Sequence, residues 1–183
     1  GAILGYANTK YLDHVKARFP VLYENYFDKY SDSNIEKSLL LGIARKESIF
    51  IQYAKSSAGA LGVMQVLPRT AYWVLKRVKM KKVSKNYLYN KNMNIFIGSY
   101  YFKYLFSKKK SYVESIASYN AGLNIVSKWR KQNNASEDAW IEFIPYYETR
   151  KYVKLVIEYA LVYDSILNNK NTIRVSQLIN INK

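Results

Sequence analysis

One apolar stripe constrains the fold of this chain more than any other pattern in the sequence. It consists of residues at intervals of four, Ile35, Leu39, Ile43 and Glu47. Because that spacing keeps side chains on one face of an α-helix, we predict a helix over residues 34–48. Glu47 then continues an apolar line. A carboxylate on such a line loses hydration, which raises its pKa toward the range that a general acid needs near neutral pH.

A loop of small residues follows Glu47. Its Gly59 and Gly62 permit tight turns and a close approach of the backbone to a ligand. No Asp or Glu occurs from Ser48 to Val113, whereas thirteen Lys or Arg residues do. A second carboxylate from this stretch is therefore excluded as a partner of Glu47. In another context a structural, ion-paired glutamate would be the default interpretation.

Composition bounds the class of protein. A chain of 183 residues with 49% hydrophobic content forms one ordinary domain with a full core. The absence of Cys excludes disulfides and thiol catalysis, and the single His14 argues against Ser-His or His-metal chemistry. The net charge of +16 points to an acidic partner: nucleic acid, an anionic membrane or an acidic cell-wall polymer.

Apolar periodicity predicts a mainly α fold, since no convincing strand pattern occurs. Ser33 with Glu36, and Ser111 with Glu114, have the spacing of capping boxes at helix starts. We read the basic, polar residues 79–94 as a loop and expect Gly122 to end a helix. The predicted helices cover residues 34–48, 68–78, 94–106, 111–121, 123–130, 137–143 and 148–167.

Several short motifs, taken in order, resemble the catalytic domain of soluble lytic transglycosylases. They are Arg45-Lys46-Glu47-Ser48, Ser56-x-x-Gly59-Ala60-x-Gly62-Val63-Met64-Gln65, Pro68-x-Thr70-Ala71, Ser118-Tyr119-Asn120-Ala121-Gly122, Trp129 and Ile144-Pro145-Tyr146-Tyr147-Glu148-Thr149-Arg150-x-Tyr152-Val153. Each motif alone is weak, but the ordered set is specific. The set covers roughly residues 34–165. The resemblance implies a goose-lysozyme-like helical fold with a central substrate cleft.

The resemblance also implies site residues. Glu47 would be the sole catalytic acid and base, and the glycan cleft would be lined by Ser48, Ser56, Gln65, Leu67, Tyr119, Asn120 and Glu148. Leu67 stands where family members carry a cleft Met, and Ile51-Gln52 replaces the usual Asn-Pro. Each residue also has a structural interpretation: a turn cap for the serines, a core aromatic for Tyr119 and a first-turn acid for Glu148. We expect no metal and no cofactor.

The implied substrate is peptidoglycan, cut at the β-1,4 bond between N-acetylmuramic acid and N-acetylglucosamine. The implied product carries a 1,6-anhydro end, formed without water. We expect glycan strands as partner, with other cell-wall enzymes as further candidates, and no nucleic acid. We expect a periplasmic or envelope location, no transmembrane segment, and a precursor whose signal peptide is not in this chain.

Two other functions remain open. A goose-type lysozyme would share the fold but hydrolyse the bond, usually with a second acid, for which Glu148 is the best candidate. A basic cell-wall or nucleic-acid binding module would depend on charge and not on Glu47. For the organisation we predict a linker or preceding-domain end with a docking segment (residues 1–30), a catalytic domain (31–167) and a tail (168–183).

Overall fold

The structure is a computed structural model that describes residues 15–80 and 85–168. In chain order its helices are α1 (Glu24–Tyr30), α2 (Lys37–Ser48), α3 (Pro68–Arg77), α4 (Lys91–Lys109), α5 (Tyr112–Ala121), α6 (Leu123–Gln132), α7 (Glu137–Glu142) and α8 (Tyr147–Asn168). A short 3-10 helix, Lys85–Tyr89, precedes α4. Across the described ranges, β-pairing is limited to isolated bridges between residues 55, 61 and 66. The prediction of a mainly α fold is confirmed.

Helix α2 lies at the centre of the molecule and packs most extensively against α8. Its residues from Ser38 to Ala44 are all buried, because neighbours surround the helix on every side. Gly42 sits at the crossing with α8. A Cβ atom there would lie 2.9 Å from both the Ala160 amide nitrogen and the Val156 carbonyl oxygen. Glycine therefore allows the two backbones to approach closely. This packing brings Glu47, near the end of α2, against Tyr152 in the first half of α8.

The start of α2 differs from its prediction. The helix begins at Lys37, and Glu36, not Ser33, occupies the N-cap position without a side-chain capping bond. Asp32 shapes the approach to the helix instead, since its Oδ1 accepts hydrogen bonds from the amides of Asn34 (2.9 Å) and Ile35 (3.0 Å). The predicted capping box is therefore wrong, because Asp32 forms a turn with the amides of Asn34 and Ile35 and the helix begins only at Lys37.

The second predicted capping site is correct in its first half. Ser111 Oγ accepts a hydrogen bond of 3.1 Å from the Glu114 amide at the start of α5. The Glu114 carboxylate, however, is buried between Lys109 (2.8 Å) and Arg130 (3.2 Å). These ion pairs join α5 to the ends of α4 and α6. The glutamate that was predicted to complete a capping box therefore links three helices instead. Gly122, at φ 94°, ends α5 as predicted.

The prediction of a loop over residues 79–94 is wrong for its second half. The 3-10 helix and the first turn of α4 occupy residues 85–94, and Asn94 is fully buried. Asn90 caps α4, because its Oδ1 accepts from the Met93 amide at 3.1 Å. Two of the polar residues that suggested a loop thus have other roles: Asn90 caps α4, and Asn94 lies in the core. The remaining helices end within two residues of their predicted limits, except that α4 extends to Lys109.

The last part of the predicted segment 1–30, which forms α1, packs on the main body. Phe27 of α1 is fully buried, and its ring lies edge-on to that of Phe50, with centroids 6.3 Å apart. His14 and the predicted tail from residue 169 lie outside the described residues, and the domain limits stay a prediction. None of the described helices is long and apolar enough to cross a membrane.

Candidate active site

Glu47 lies on the last turn of α2, where Tyr152 of α8 contacts it. The Tyr152 hydroxyl donates a hydrogen bond of 2.6 Å to Glu47 Oε1. Burial raises the pKa of Glu47 to about 7, although the Tyr152 hydrogen bond and the Lys46 charge act to lower it and the Glu148 charge adds to the rise. The prediction that desolvation raises this pKa is confirmed. Near neutral pH the carboxyl can therefore both release and accept a proton.

Tyr152 is the contact that the sequence did not assign to the site, although it belongs to one of the quoted motifs. The residue is 2% exposed and 105 positions from Glu47 along the chain. Burial, followed by the nearby Glu47 charge, holds the pKa of its hydroxyl well above the ordinary value. The hydroxyl is thus a permanent donor. Tyr152 lies on the apolar face of α8, beside the buried Val153 and one turn before Val156. That position could have suggested that its side chain points into the molecule.

Tyr119 lies beside this pair but bonds elsewhere. Its hydroxyl donates to the Met64 carbonyl oxygen at 2.9 Å. Burial raises the pKa of Tyr119 well above its ordinary value, and the Glu47 charge adds to the rise. A Cβ atom at Gly98 would lie 3.0 Å from the Tyr119 hydroxyl oxygen and 2.7 Å from Met64 Sδ. Helix α4 therefore needs glycine at this point to seat Tyr119 and the loop.

Three of the predicted cleft residues fix the backbone around Glu47. Ser48 Oγ donates to the Val63 carbonyl at 2.7 Å, which fastens the end of α2 to the loop. Ser56 Oγ accepts from the Ala60 amide at 3.0 Å, so it caps a turn. Gln65 Nε2 donates to the carbonyl oxygens of Gly62 (3.0 Å) and Ala54 (3.3 Å). The interpretation as a turn cap therefore holds for Ser56, whereas Ser48 and Gln65 bond to carbonyl oxygens of the loop.

Asn94 is a second residue that the sequence did not single out. Its Oδ1 accepts from the Met64 amide at 2.7 Å, and its Nδ2 donates to the carbonyl oxygens of Leu61 (2.8 Å) and Leu88 (2.9 Å). Gly62 turns beneath it at φ 75°, where a Cβ atom would lie 2.4 Å from Asn94 Nδ2. This buried amide holds the loop after Glu47 against α4.

A cavity of about 660 Å³ lies next to Tyr119. Three predicted site residues, Leu67, Tyr119 and Asn120, line it together with Arg69, Trp73 and Tyr101. Asn120 is held in place by Thr149 of α8, whose Oγ1 donates to Asn120 Oδ1 at 2.7 Å. Glu47 does not itself line this cavity. The cavity therefore adjoins the carboxyl through Tyr119, and it offers aromatic, amide and cationic groups to a ligand.

Glu148 is exposed in the first turn of α8. Its negative charge helps to raise the pKa of Glu47, so the two carboxyls interact electrostatically. Within residues 15–80 and 85–168, no group of three or more His, Cys, Asp and Glu side chains is arranged to hold a metal ion.

The fold and the site together define a helical, lysozyme-like domain with a half-buried carboxyl at the end of its central helix. The Transglycosylase SLT domain model matches residues 24–141, and the soluble lytic transglycosylase helical domain model matches residues 143–171. The chain belongs to the SLT transglycosylase family. The sequence resemblance to soluble lytic transglycosylases is confirmed.

Individual relatives agree. The chain is 36% identical over 169 residues to the soluble lytic murein transglycosylase of Escherichia coli K12, covering 90% of this chain and 26% of that protein. The structure of the 70-kDa soluble lytic transglycosylase of E. coli matches with a TM-score of 0.81 at 32% identity, over 92% of this chain and 28% of that one.

A glutamate-to-glutamine mutant of the Pseudomonas aeruginosa lytic transglycosylase Slt, described as inactive, matches with a TM-score of 0.80 at 32% identity, over 84% of this chain and 26% of that one. The chain thus spans about a quarter of the length of these relatives.

Proposed function

We propose that this chain is the catalytic domain of a peptidoglycan lytic transglycosylase. It cleaves the β-1,4 bond between N-acetylmuramic acid and N-acetylglucosamine and leaves a 1,6-anhydro end. The observation that carries the proposal is the environment of Glu47: a desolvated carboxyl with a pKa of about 7, held by a tyrosine hydroxyl. Family membership and the inactive glutamine mutant of the Pseudomonas relative support the same assignment.

The reaction needs one group that first gives a proton and later takes one. Protonated Glu47 donates its proton to the leaving glycosidic oxygen as the bond to the anomeric carbon breaks. The oxygen of the substrate's 2-acetamido group bonds to that carbon. Glu47, now ionised, accepts the proton of the C6 hydroxyl while the C6 oxygen displaces the acetamido oxygen. Glu47 ends protonated again, and no water is consumed.

Tyr152 supports the second half of this cycle. Its hydroxyl donates to Glu47 and so stabilises the ionised carboxylate that the first step creates. Burial favours the protonated carboxyl that begins the cycle. The two effects oppose each other, and the resulting pKa of about 7 leaves both forms accessible near neutral pH.

The substrate cleft, in this proposal, includes the cavity beside Tyr119. Leu67, Tyr119 and Asn120 contact the sugar directly, while Ser48, Ser56 and Gln65 act by shaping the loop. Glu148, exposed near Glu47, contacts the substrate at the rim. Glycan strands of the bacterial envelope are the partner in this proposal, and the activity is periplasmic or associated with the cell envelope.

A goose-type hydrolase is the second candidate, because Glu148 lies close enough to Glu47 to raise its pKa. Such an enzyme would use a positioned water and leave a reducing end. The two products differ by one water in mass. The match to the transglycosylase family model and to curated lytic transglycosylases favours the transglycosylase.

Digestion of purified peptidoglycan, followed by mass analysis of the fragments, tests the proposal. Wild-type protein should release anhydro-ended fragments, and Glu47→Gln should release them at least about 10²-fold more slowly, because loss of general acid–base catalysis alone costs about 10²–10⁴-fold in rate. Reducing ends would establish the hydrolase instead. Retention of more than about a tenth of the rate in Glu47→Gln would remove Glu47 from the mechanism.

A further inference from the structure

A second cavity lies on another part of the surface. It has a volume of about 420 Å³ and is lined by Gln52, Tyr53, Asn86, Tyr89 and Asn90, a group that we name the tyrosine cleft. None of these residues lines the cavity beside Tyr119. The cleft forms where the chain after α2 meets the 3-10 helix and the first residues before α4.

The tyrosine cleft is uncharged on a strongly basic protein. Its lining consists of three amides and two phenol rings, although the chain carries a net charge of +16. A phosphate or carboxylate ligand would be bound by cations, and none is among the described residues that line this cavity. A nucleic acid would need the same cations beside its backbone. The lining therefore favours a neutral ligand.

An aromatic ring is presented to solvent at the cleft. Tyr53 is 71% exposed, and its ring lies 5.7 Å from that of Tyr89, tilted by 46°. The two rings together give the cavity an aromatic surface that a ligand can cover. The C–H face of a sugar ring is apolar and fits such an aromatic surface, while its hydroxyls need hydrogen-bond partners around the edge.

Hydrogen bonds hold two of the three amides in place. Gln52 Nε2 donates to the Tyr89 carbonyl at 2.9 Å, and Asn90 Oδ1 accepts from the Met93 amide. Within the described part of the chain, Gln52 Oε1, Asn90 Nδ2 and both tyrosine hydroxyls make no other hydrogen bond that would occupy them. The cleft thus offers both donors and acceptors on a pre-organised frame, which reduces the entropy lost on binding.

We propose that the tyrosine cleft binds an N-acetylated, uncharged sugar unit of a glycan strand, outside the site at Glu47. The identity of the glycan rests on the proposed function, whereas the sugar chemistry rests on the cleft itself. A sugar held there tethers the enzyme to its polymer while another segment occupies the cavity beside Tyr119. Such a tether should speed the cleavage of insoluble substrate. It should have no effect on a fragment that is too short to reach both the tyrosine cleft and the cavity beside Tyr119.

The test compares Tyr53→Ala with Tyr72→Ala, a matched loss of an exposed tyrosine, 57% exposed and outside both cavities. Both changes are made in a Glu47→Gln background so that the probe is not cut. Chitotetraose is titrated while the side-chain amide signals of Gln52, Asn86 and Asn90 are followed by NMR. We expect these signals to shift, and Tyr53→Ala to weaken that binding roughly three- to tenfold with Tyr72→Ala unchanged.

A second readout uses turnover with Glu47 intact. Tyr53→Ala should slow cleavage of insoluble peptidoglycan by a similar factor and leave cleavage of a soluble tetrasaccharide fragment unchanged. The inference is overturned if chitotetraose shifts no signal of the tyrosine cleft, or if Tyr53→Ala and Tyr72→Ala behave alike. If the wild-type protein yields no anhydro ends while chitotetraose still shifts Gln52, the proposed function fails and the sugar site remains.

Discussion

At the scale of one residue, the position that suits Glu47 to catalysis destabilises the fold. Folded Glu47 keeps its proton up to about pH 7, while the unfolded residue loses it near the model value of 4.5. Between these values the folded state binds more protons than the unfolded state. The free energy of unfolding therefore falls as pH rises through this window, by up to about 3 kcal/mol in total.

Glu47→Gln should abolish this pH dependence. Urea unfolding at about pH 5 and about pH 8 should show that the wild-type protein loses up to about 3 kcal/mol more than the variant does between the two conditions. At the higher pH the inactive variant should be the more stable protein. Parallel stability curves for the two proteins would show that Glu47 is hydrated in the folded state.

Tyr152→Phe tests the hydrogen bond that opposes this burial. The hydroxyl favours ionised Glu47, so its removal should raise the pKa of Glu47 further above about 7. The alkaline limb of the turnover-pH profile should move upward, and maximal turnover should fall about tenfold or more, since a charge-assisted hydrogen bond contributes roughly 1.5–3 kcal/mol.

Tyr163→Phe is the matched control for that experiment. Tyr163 is a buried tyrosine of the same helix, and its hydroxyl donates to the Pro20 carbonyl at 3.3 Å and not to Glu47. Its loss should affect stability alone. An equal movement of the alkaline limb in both variants would mean that the Tyr152 hydroxyl has no specific effect on the pKa of Glu47.

At the scale of elements, helix positions were predictable and their long-range contacts were not. The stripe from Ile35 to Glu47 is local information, so the sequence located α2 and the burial of its carboxyl. The partner on α8 is more than a hundred residues away, and nothing in the period of either helix specifies which side chain meets Glu47. Asn94 was missed for a related reason, because a buried amide with three backbone partners reads in sequence as a loop residue.

Asn94→Ala should loosen the loop that follows Glu47. It removes three hydrogen bonds and leaves one buried amide and two carbonyl oxygens without their partner. We expect a loss of roughly 2–4 kcal/mol in the free energy of unfolding, measured with urea. Asn92→Ala is the control, since Asn92 Oδ1 accepts one hydrogen bond among the described residues, from the Tyr30 hydroxyl at the half-buried surface. Similar losses in both variants would contradict the role that we assign to Asn94.

At the scale of the whole molecule, the net charge governs the encounter with the substrate, whereas the surroundings of Glu47 govern the chemical step. The net charge of +16 acts over long distances, whereas Glu47 is governed by burial and by one hydrogen bond of 2.6 Å. The charges of Lys46 and Glu148 act on the pKa of Glu47 in opposite directions. Salt should therefore alter the capture of an acidic polymer and leave the chemical step almost unchanged.

Turnover of peptidoglycan at two salt concentrations tests this separation. Raising sodium chloride from about 0.1 M to about 1 M shortens the screening length from about 10 Å to about 3 Å. The KM for peptidoglycan should rise at least about threefold, because the attraction between a basic protein and an acidic polymer is screened. The kcat should change by less than about twofold, because buried groups are screened much less than exposed ones. Chitotetraose, which is neutral, should bind to the Glu47→Gln protein with nearly the same affinity at both concentrations. A large fall in kcat, or an equal weakening of chitotetraose binding, would show that surface charge acts on the site itself and not only on the encounter with the polymer.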